Sequence, residues 1–139
     1  MSELRDMHFL IADDAPQGYR SVRDLVESNP AWHVSAEVTN GREAVEKVLL
    51  YEPDIVLMDV VMPGLDGIRA ASEIKTALPS ARVIVYTAHH NDLFRQRALA
   101  AGADAFFFKE DLDRFALERL IQKWFSQDPV SISRKEEDP

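Results

Sequence analysis

Three acids, one hydroxyl and one lysine stand where apolar runs stop. Asp13 and Asp14 follow His8 to Ala12, Asp59 closes Ile55 to Met58, Thr87 closes Val83 to Tyr86, and Lys109 follows Ala105 to Phe108. After Asp59 the chain breaks into Met62-Pro63-Gly64 and Asp66-Gly67, where Pro fixes φ and Gly admits positive φ and close approach of a ligand to backbone. Taken alone, Asp59 reads equally as a strand cap. If Asp13, Asp14 and Asp59 share one edge they repel, because two unit charges about 4 Å apart cost roughly 4 kcal/mol at an effective dielectric of 20. Lys109 offsets one of the three charges, and a divalent cation offsets the rest. With oxygen donors, no cysteine and no suitably placed histidine, the set selects a hard ion, magnesium, and disfavours zinc. A cation, a lysine and a hydroxyl around one carboxylate suit phosphoryl transfer, which is mostly positioning and charge neutralisation. Asp59 is then the nucleophile, magnesium and Lys109 hold two phosphoryl oxygens, and Thr87 donates to the third. Phosphorylation replaces one negative charge by about two, so the site pulls harder on Thr87 and Lys109.

Those residues meet only if the strands carrying them lie side by side. Ile55 to Met58 is apolar without alternation, the pattern of a strand covered on both faces of a parallel sheet. Between the strands, helical periods recur: Tyr19, Val22, Leu25 and Val26; Ala44, Val45, Val48 and Leu49 behind an Asn40/Glu43 capping box; Ile68, Ala71, Ile74 and Leu78. Asn91 to Ala101 reads as a fourth helix, with Phe94 and Ala98 inward and Gly102 as its stop. Leu112, Phe115, Leu120, Ile121 and Trp124 mark a fifth. Strand and helix alternate throughout, which predicts an α/β, flavodoxin-like, doubly wound five-stranded parallel sheet of order 2-1-3-4-5 with five helices. In such sheets ligands bind outside the carboxyl ends of the strands, where strands 1 and 3 part, and that edge gathers Asp13, Asp14, Asp59, Thr87 and Lys109. Such convergence points to a site and away from a lone strand cap.

The chain has 139 residues, 46% of them hydrophobic, enough for one compact domain. That domain is expected over 1–126, while 127–139 lacks a hydrophobic period and reads as a C-terminal tail or the start of a linker. A net charge of -8 argues against direct contact with nucleic acid, whose phosphates need clustered Lys and Arg. Absence of cysteine removes disulfides and thiolate metal sites. The charged start has no apolar signal segment and no run is long enough to span a membrane, so a cytoplasmic protein without membrane contact is expected.

The acidic pair Asp13 and Asp14, Asp59 with its Met62-Pro63-Gly64 and Gly67 turn, Thr87, the aromatic Phe106 and Lys109 together resemble the receiver domain of two-component response regulators. The resemblance covers about Met7 to Phe125. The stretch Asp13 to Gly67, and Lys109-Glu110-Asp111 without a Pro, are similar to receivers that precede LuxR-type helix-turn-helix domains. It implies a phosphorylation-activated signalling switch in which Asp59 accepts a phosphoryl group from a histidine kinase or phosphotransfer protein with Mg2+. Asp59, Thr87 and Lys109 then carry the transfer, and slow autodephosphorylation follows. Asp14, Asp59 and the main-chain carbonyl of Val61 are implied as direct metal ligands, with Asp13 acting through water. Thr87 and Phe106 are implied as the switch, altering the face made by helix 4, strand 5 and helix 5. The output is then a homodimer, a downstream effector, or a C-terminal DNA-binding domain beyond this chain.

Two departures from the family pattern matter. Glu110 stands where many receivers carry a cis Pro, so a trans bond is expected. Phe106 lacks the hydroxyl of a Tyr, so its rotation must be driven by packing alone: as Thr87 moves toward the phosphoryl oxygen, Phe106 is expected to turn inward and bury more apolar area. His89 and His90 read as a solvated loop, His89 lying where it bears on phosphoryl lifetime, and Trp124 and Phe125 as packing. The rival function is a magnesium-dependent phosphatase with an aspartyl nucleophile. Such dehalogenase-like enzymes use an Asp-x-Asp pattern after strand 1 and a cap over the site, whereas Asp13 and Asp14 are adjacent and no cap insertion is visible.

Overall fold

The computed structural model describes residues 6–125 and, within its first helix, side chains from residue 21 onward. Five strands, β1 (Met7–Ala12), β2 (Trp32–Val38), β3 (Ile55–Asp59), β4 (Arg82–Thr87) and β5 (Ala105–Phe108), alternate with helices α1 (Pro16–Glu27), α2 (Gly41–Tyr51), α3 (Gly67–Ala77), α4 (Asp92–Ala100) and α5 (Arg114–Phe125). The sheet runs β2-β1-β3-β4-β5 and every pairing is parallel, the flavodoxin-like order expected. Ile55, Val56, Leu57 and Met58 are all fully buried, because β3 has a strand on each side and helices above and below. Leu10 pairs with Val56, and Met58 with Val85, so apolar side chains of neighbouring strands line up in rows.

Alternation along each strand sorts the core into two layers. Leu10, Val56, Met58, Val83, Val85 and Phe106 pack with the inner stripes of α2, α3 and α4. Phe9, Ile11, Leu57, Ile84 and Tyr86 pack with Val22, Leu117 and Ile121 of α1 and α5. Helix starts follow capping chemistry. Asn40 accepts from the Glu43 N–H at 2.8 Å, Asp66 from Arg69 at 2.9 Å, Asn91 from Leu93 at 2.9 Å, and Asp113 from Ala116 at 2.8 Å. The Glu43 carboxylate lies 3.4 Å from the Asn40 side-chain amide, giving the box a side-chain return contact. Gly102 ends α4 with φ at +105°, a conformation that favours glycine.

Several sequence expectations shift. Leu49 is 52% exposed, so the stripe of α2 is narrower than its periodicity suggests and consists of Gly41, Ala44, Val45 and Val48. The last helix starts at Arg114, not Leu112: a 3-10 turn over Lys109–Asp111 intervenes, Leu112 is buried ahead of the helix, and Phe115 is 66% exposed on its outer face. The bond after Lys109 is trans, as no cis peptide occurs among the described residues. Tail residues 127–139 and the side chain of Tyr19 lie outside the described residues.

Candidate functional site

Parallel strands put all their carboxyl ends at one edge, and β1, β3, β4 and β5 each deliver a polar residue there. Asp13 follows β1 and is fully buried. Its backbone N–H donates to Val38 at 3.0 Å, and each of its carboxylate oxygens has a partner. Oδ1 accepts the Ala15 N–H at 2.9 Å, and Oδ2 accepts the Tyr86 hydroxyl at 2.7 Å, with Lys109 Nζ 3.7 Å away, so both oxygens are held in place while each keeps a lone pair to spare. Asp14, next along, is exposed. Asp59 at the end of β3 is partly buried and accepts the Val61 N–H at 3.1 Å. Asp13, Asp14 and Asp59 each offer a carboxylate oxygen within 4.8 Å of the others. The donor set is all oxygen and open to solvent on the Asp14 side, which fits a hard divalent cation that keeps waters.

Crowding shows in the acid chemistry. Burial first, and the Asp13 charge second, push the Asp59 carboxyl from its ordinary 3.8 to about 6, with Asp14 adding and the Val61 N–H and Lys109 opposing. The loop beyond Asp59 is held by Val60 N–H to Tyr86 O and Gly67 N–H to Val60 O, both at 2.9 Å. Gly67 is required there, since a Cβ would meet the Asp59 carbonyl oxygen at 2.0 Å. Val61 is 46% exposed on this loop.

Thr87 is buried, and its Oγ1 accepts the His89 N–H at 3.0 Å. Lys109 reaches the edge as expected, but its ion pair is with Asp13 and its ammonium lies 5.7 Å from the Tyr86 ring centroid. Phe106 is already turned inward, only 6% exposed, with the Arg95 guanidinium 5.0 Å from its ring. The outward starting position implied by an inward-rotating switch is not the one adopted here. In register Phe106 faces Val85, and Phe108 faces Thr87. His90 is more than a solvated loop residue: it stacks on Phe108 at 4.4 Å and pairs with Glu110 at 2.8 Å. The pair arises because Glu110, in place of Pro, supplies a carboxylate.

Tyr86 is the site residue that sequence reasoning missed. It read as one more apolar strand residue ahead of Thr87. The available signal was that a tyrosine deep in a central strand needs a hydroxyl partner, and alternation puts it on the face opposite Thr87. The expected cap of an aspartyl phosphatase is absent among the described residues: β1 runs into α1 through residues 13–15 alone.

Comparison with known proteins agrees with this fold. The family described as "Response regulator receiver domain" matches residues 9–123. Chemotaxis protein CheY of Thermotoga maritima is 41% identical over 100 residues, covering 72% of this chain and 82% of its own length. The two-component response regulator, LuxR family, from Aurantimonas sp. SI85-9A1 superposes with a TM-score of 0.77 at 28% identity, over 96% of this chain and 97% of its own. The CheX-CheY-BeF3-Mg+2 complex from Borrelia burgdorferi gives 0.76 at 28% identity, over 87% of this chain and 90% of its own.

Proposed function

The chain belongs to the response regulator receiver domain family, and we propose that it is a signalling switch operated by phosphorylation of Asp59, with Mg2+ held in the acidic cluster. The observation that carries this reading is the meeting of Asp13, Asp14 and Asp59 within 4.8 Å beside the Lys109 ammonium. Asp14, Asp59 and the Val61 carbonyl would hold the ion, with Asp13 behind them. When bound, the ion supplies positive charge to a transferring phosphoryl group.

The chain's own groups do the rest. With a carboxyl pKa near 6, Asp59 is largely ionised near neutral pH and can attack phosphorus. Its oxygen forms the new P–O bond while the P–N bond to the donor histidine breaks, and the departing imidazole keeps the electron pair and takes up a proton. Lys109 leaves Asp13 for a phosphoryl oxygen. Thr87 Oγ1 already accepts from His89, so its own proton is free to donate to the second phosphoryl oxygen, and that pull moves the loop after β4. Because His90 of this loop is tied to Phe108 and Glu110, the movement reaches the face of α4, β5 and α5, where Arg95 covers Phe106. This face is the proposed contact for a second copy, an effector or a DNA-binding domain following in the same polypeptide. Return to the resting state is hydrolysis of the acyl phosphate, with exposed His89 beside the path of water.

A small phosphodonor with magnesium tests the proposal. One phosphate, labile to hydroxylamine, should appear on the parent, be lost without magnesium, and be absent in Asp59→Ala. Equal labelling in Asp59→Ala would overturn the assignment.

A further inference from the structure

We infer that Tyr86 is a positioning residue of the phosphorylation site: its hydroxyl fixes the Asp13 carboxylate for magnesium and stays with that carboxylate when Lys109 is drawn away. The inference rests on the magnesium reading above and goes beyond it by assigning a role to a residue that supplies neither a ligand nor a phosphoryl contact.

The geometry is specific. Tyr86 pairs in register with Asp59 on β3, yet its hydroxyl donates to Asp13, which follows β1, at 2.7 Å. The phenol therefore crosses beneath the end of the intervening strand. Both residues are fully buried, so water does not replace this bond. Burial, and then the Asp13 charge, push the phenol pKa well above its ordinary 10.0, which keeps the hydroxyl a donor. The ring is walled by the apolar layer under α1 and α5 that includes Phe9, Ile11, Leu57, Ile84 and Leu117, leaving it little freedom to turn away.

Asp13 has three partners: Tyr86, the Ala15 N–H and Lys109. Only Lys109 is mobile in the proposed cycle. Once its ammonium moves to a phosphoryl oxygen, a buried carboxylate supported by Lys109 alone would turn toward whatever donor remained. A buried charge that loses a partner is costly. Tyr86 prevents that turn because it approaches from the layer opposite Thr87 and stays put through the switch. It also draws on Oδ2, leaving the outward lone pairs of Asp13 for the ion or its waters. Partners that orient direct metal ligands commonly alter affinity about 10- to 100-fold when removed, and Tyr86, acting through a carboxylate that faces the ion's waters, belongs at the lower end.

Tyr86→Phe keeps the ring and deletes the donor. Direct binding of Mn2+, followed by electron paramagnetic resonance and competed with Mg2+, should be about 10-fold weaker in Tyr86→Phe than in the parent. In an Asp13→Ala background, where no oxygen remains to accept the hydroxyl, the same substitution should change nothing further, which separates positioning from loss of packing. Equal binding in parent and Tyr86→Phe, or an equal loss in both backgrounds, would overturn the inference. Absence of metal binding by the parent would instead overturn the magnesium reading itself. Should Tyr86→Phe fail to fold, fluorotyrosine labelling of the parent decides. Of its three tyrosines, the Tyr86 resonance, assigned by replacing the other two, should shift on adding Mg2+ and stay still in Asp13→Ala. A Tyr86 resonance unmoved by Mg2+ in the parent would sink the idea.

Discussion

Asp59 destabilises the fold that presents it, and the size of that effect can be worked from the structure. Its carboxyl is raised from 3.8 to about 6 by burial and by Asp13. Ionising such a group costs the folded state about 3 kcal/mol relative to the unfolded chain, and solvent screening of a partly exposed group reduces this to roughly 2 kcal/mol. The folded pKa is the higher one, so the sign follows directly. Below pH 3.8 both states hold the proton and there is no penalty; between 3.8 and about 6 only the folded state keeps it, and above about 6 the penalty is complete. Asp59→Asn removes the charge and retains an oxygen to accept the Val61 N–H. Without divalent cations at pH 7.5 it should be more stable than the parent by about 2 kcal/mol, a rise of several degrees in Tm for a chain of this size. Urea unfolding with chelator, at pH 7.5 and at pH 4, measures it. The advantage should shrink toward zero at the lower pH. An Asp59→Asn protein no more stable than the parent at pH 7.5, or equally advantaged at both pH values, would refute the reasoning.

Magnesium relieves the same repulsion, so at ten times its dissociation constant it should stabilise the parent by about 1.4 kcal/mol; thermal scans of Asp14→Ala should show no such gain. Gly67→Ala drives a methyl to 2.0 Å from the Asp59 carbonyl oxygen, and denaturant titration should report a loss of ~3 kcal/mol or more with impaired phosphorylation. At the opposite edge Asp104 accepts from Lys75 at 3.0 Å, Arg82 at 3.1 Å and the Val83 N–H at 2.8 Å. Asp104→Ala should therefore cost ~2 to 3 kcal/mol in urea unfolding, while labelling of Asp59 by a small phosphodonor continues at the parent rate under folding conditions.

Strand ends were legible in the sequence because each is an apolar run cut by a polar residue, and the alternation of runs with helical periods leaves little choice of topology. Asp13, Asp14, Asp59, Thr87 and Lys109 were found by that logic, since strand position alone brings them to one edge. What sequence could not supply is the direction each side chain takes after arriving. Lys109 is within reach of several acids, and its position over the Tyr86 ring depends on a residue two strands from Asp13. The two exposed ends of the helical stripes failed for a related reason. Leu49 and Phe115 satisfy a helical period, but α2 and α5 each lie against the sheet along a strip too narrow to cover them.

Phe106 carries the same lesson into mechanism. Rotation of a ring from solvent to core is worth roughly 1.5 to 3 kcal/mol, and the sequence suggested that phosphorylation releases this energy. Here the ring lies inward under Arg95, so a switch that starts from this arrangement draws nothing from that burial. What remains movable lies between Thr87 and Glu110: the His89 N–H on the Thr87 hydroxyl, then His90 clamped by Phe108 and Glu110. A pull on Thr87 must break or drag that clamp. Glu110→Ala, which removes the carboxylate and leaves the Lys109 backbone free to keep its turn, should therefore weaken the coupling between Asp59 and the α4–β5–α5 face while sparing phosphorylation itself. Hydrogen exchange of α4 with and without a phosphoryl mimic reads the coupling. A mimic-induced change as large in Glu110→Ala as in the parent would show that the signal leaves Thr87 by another route.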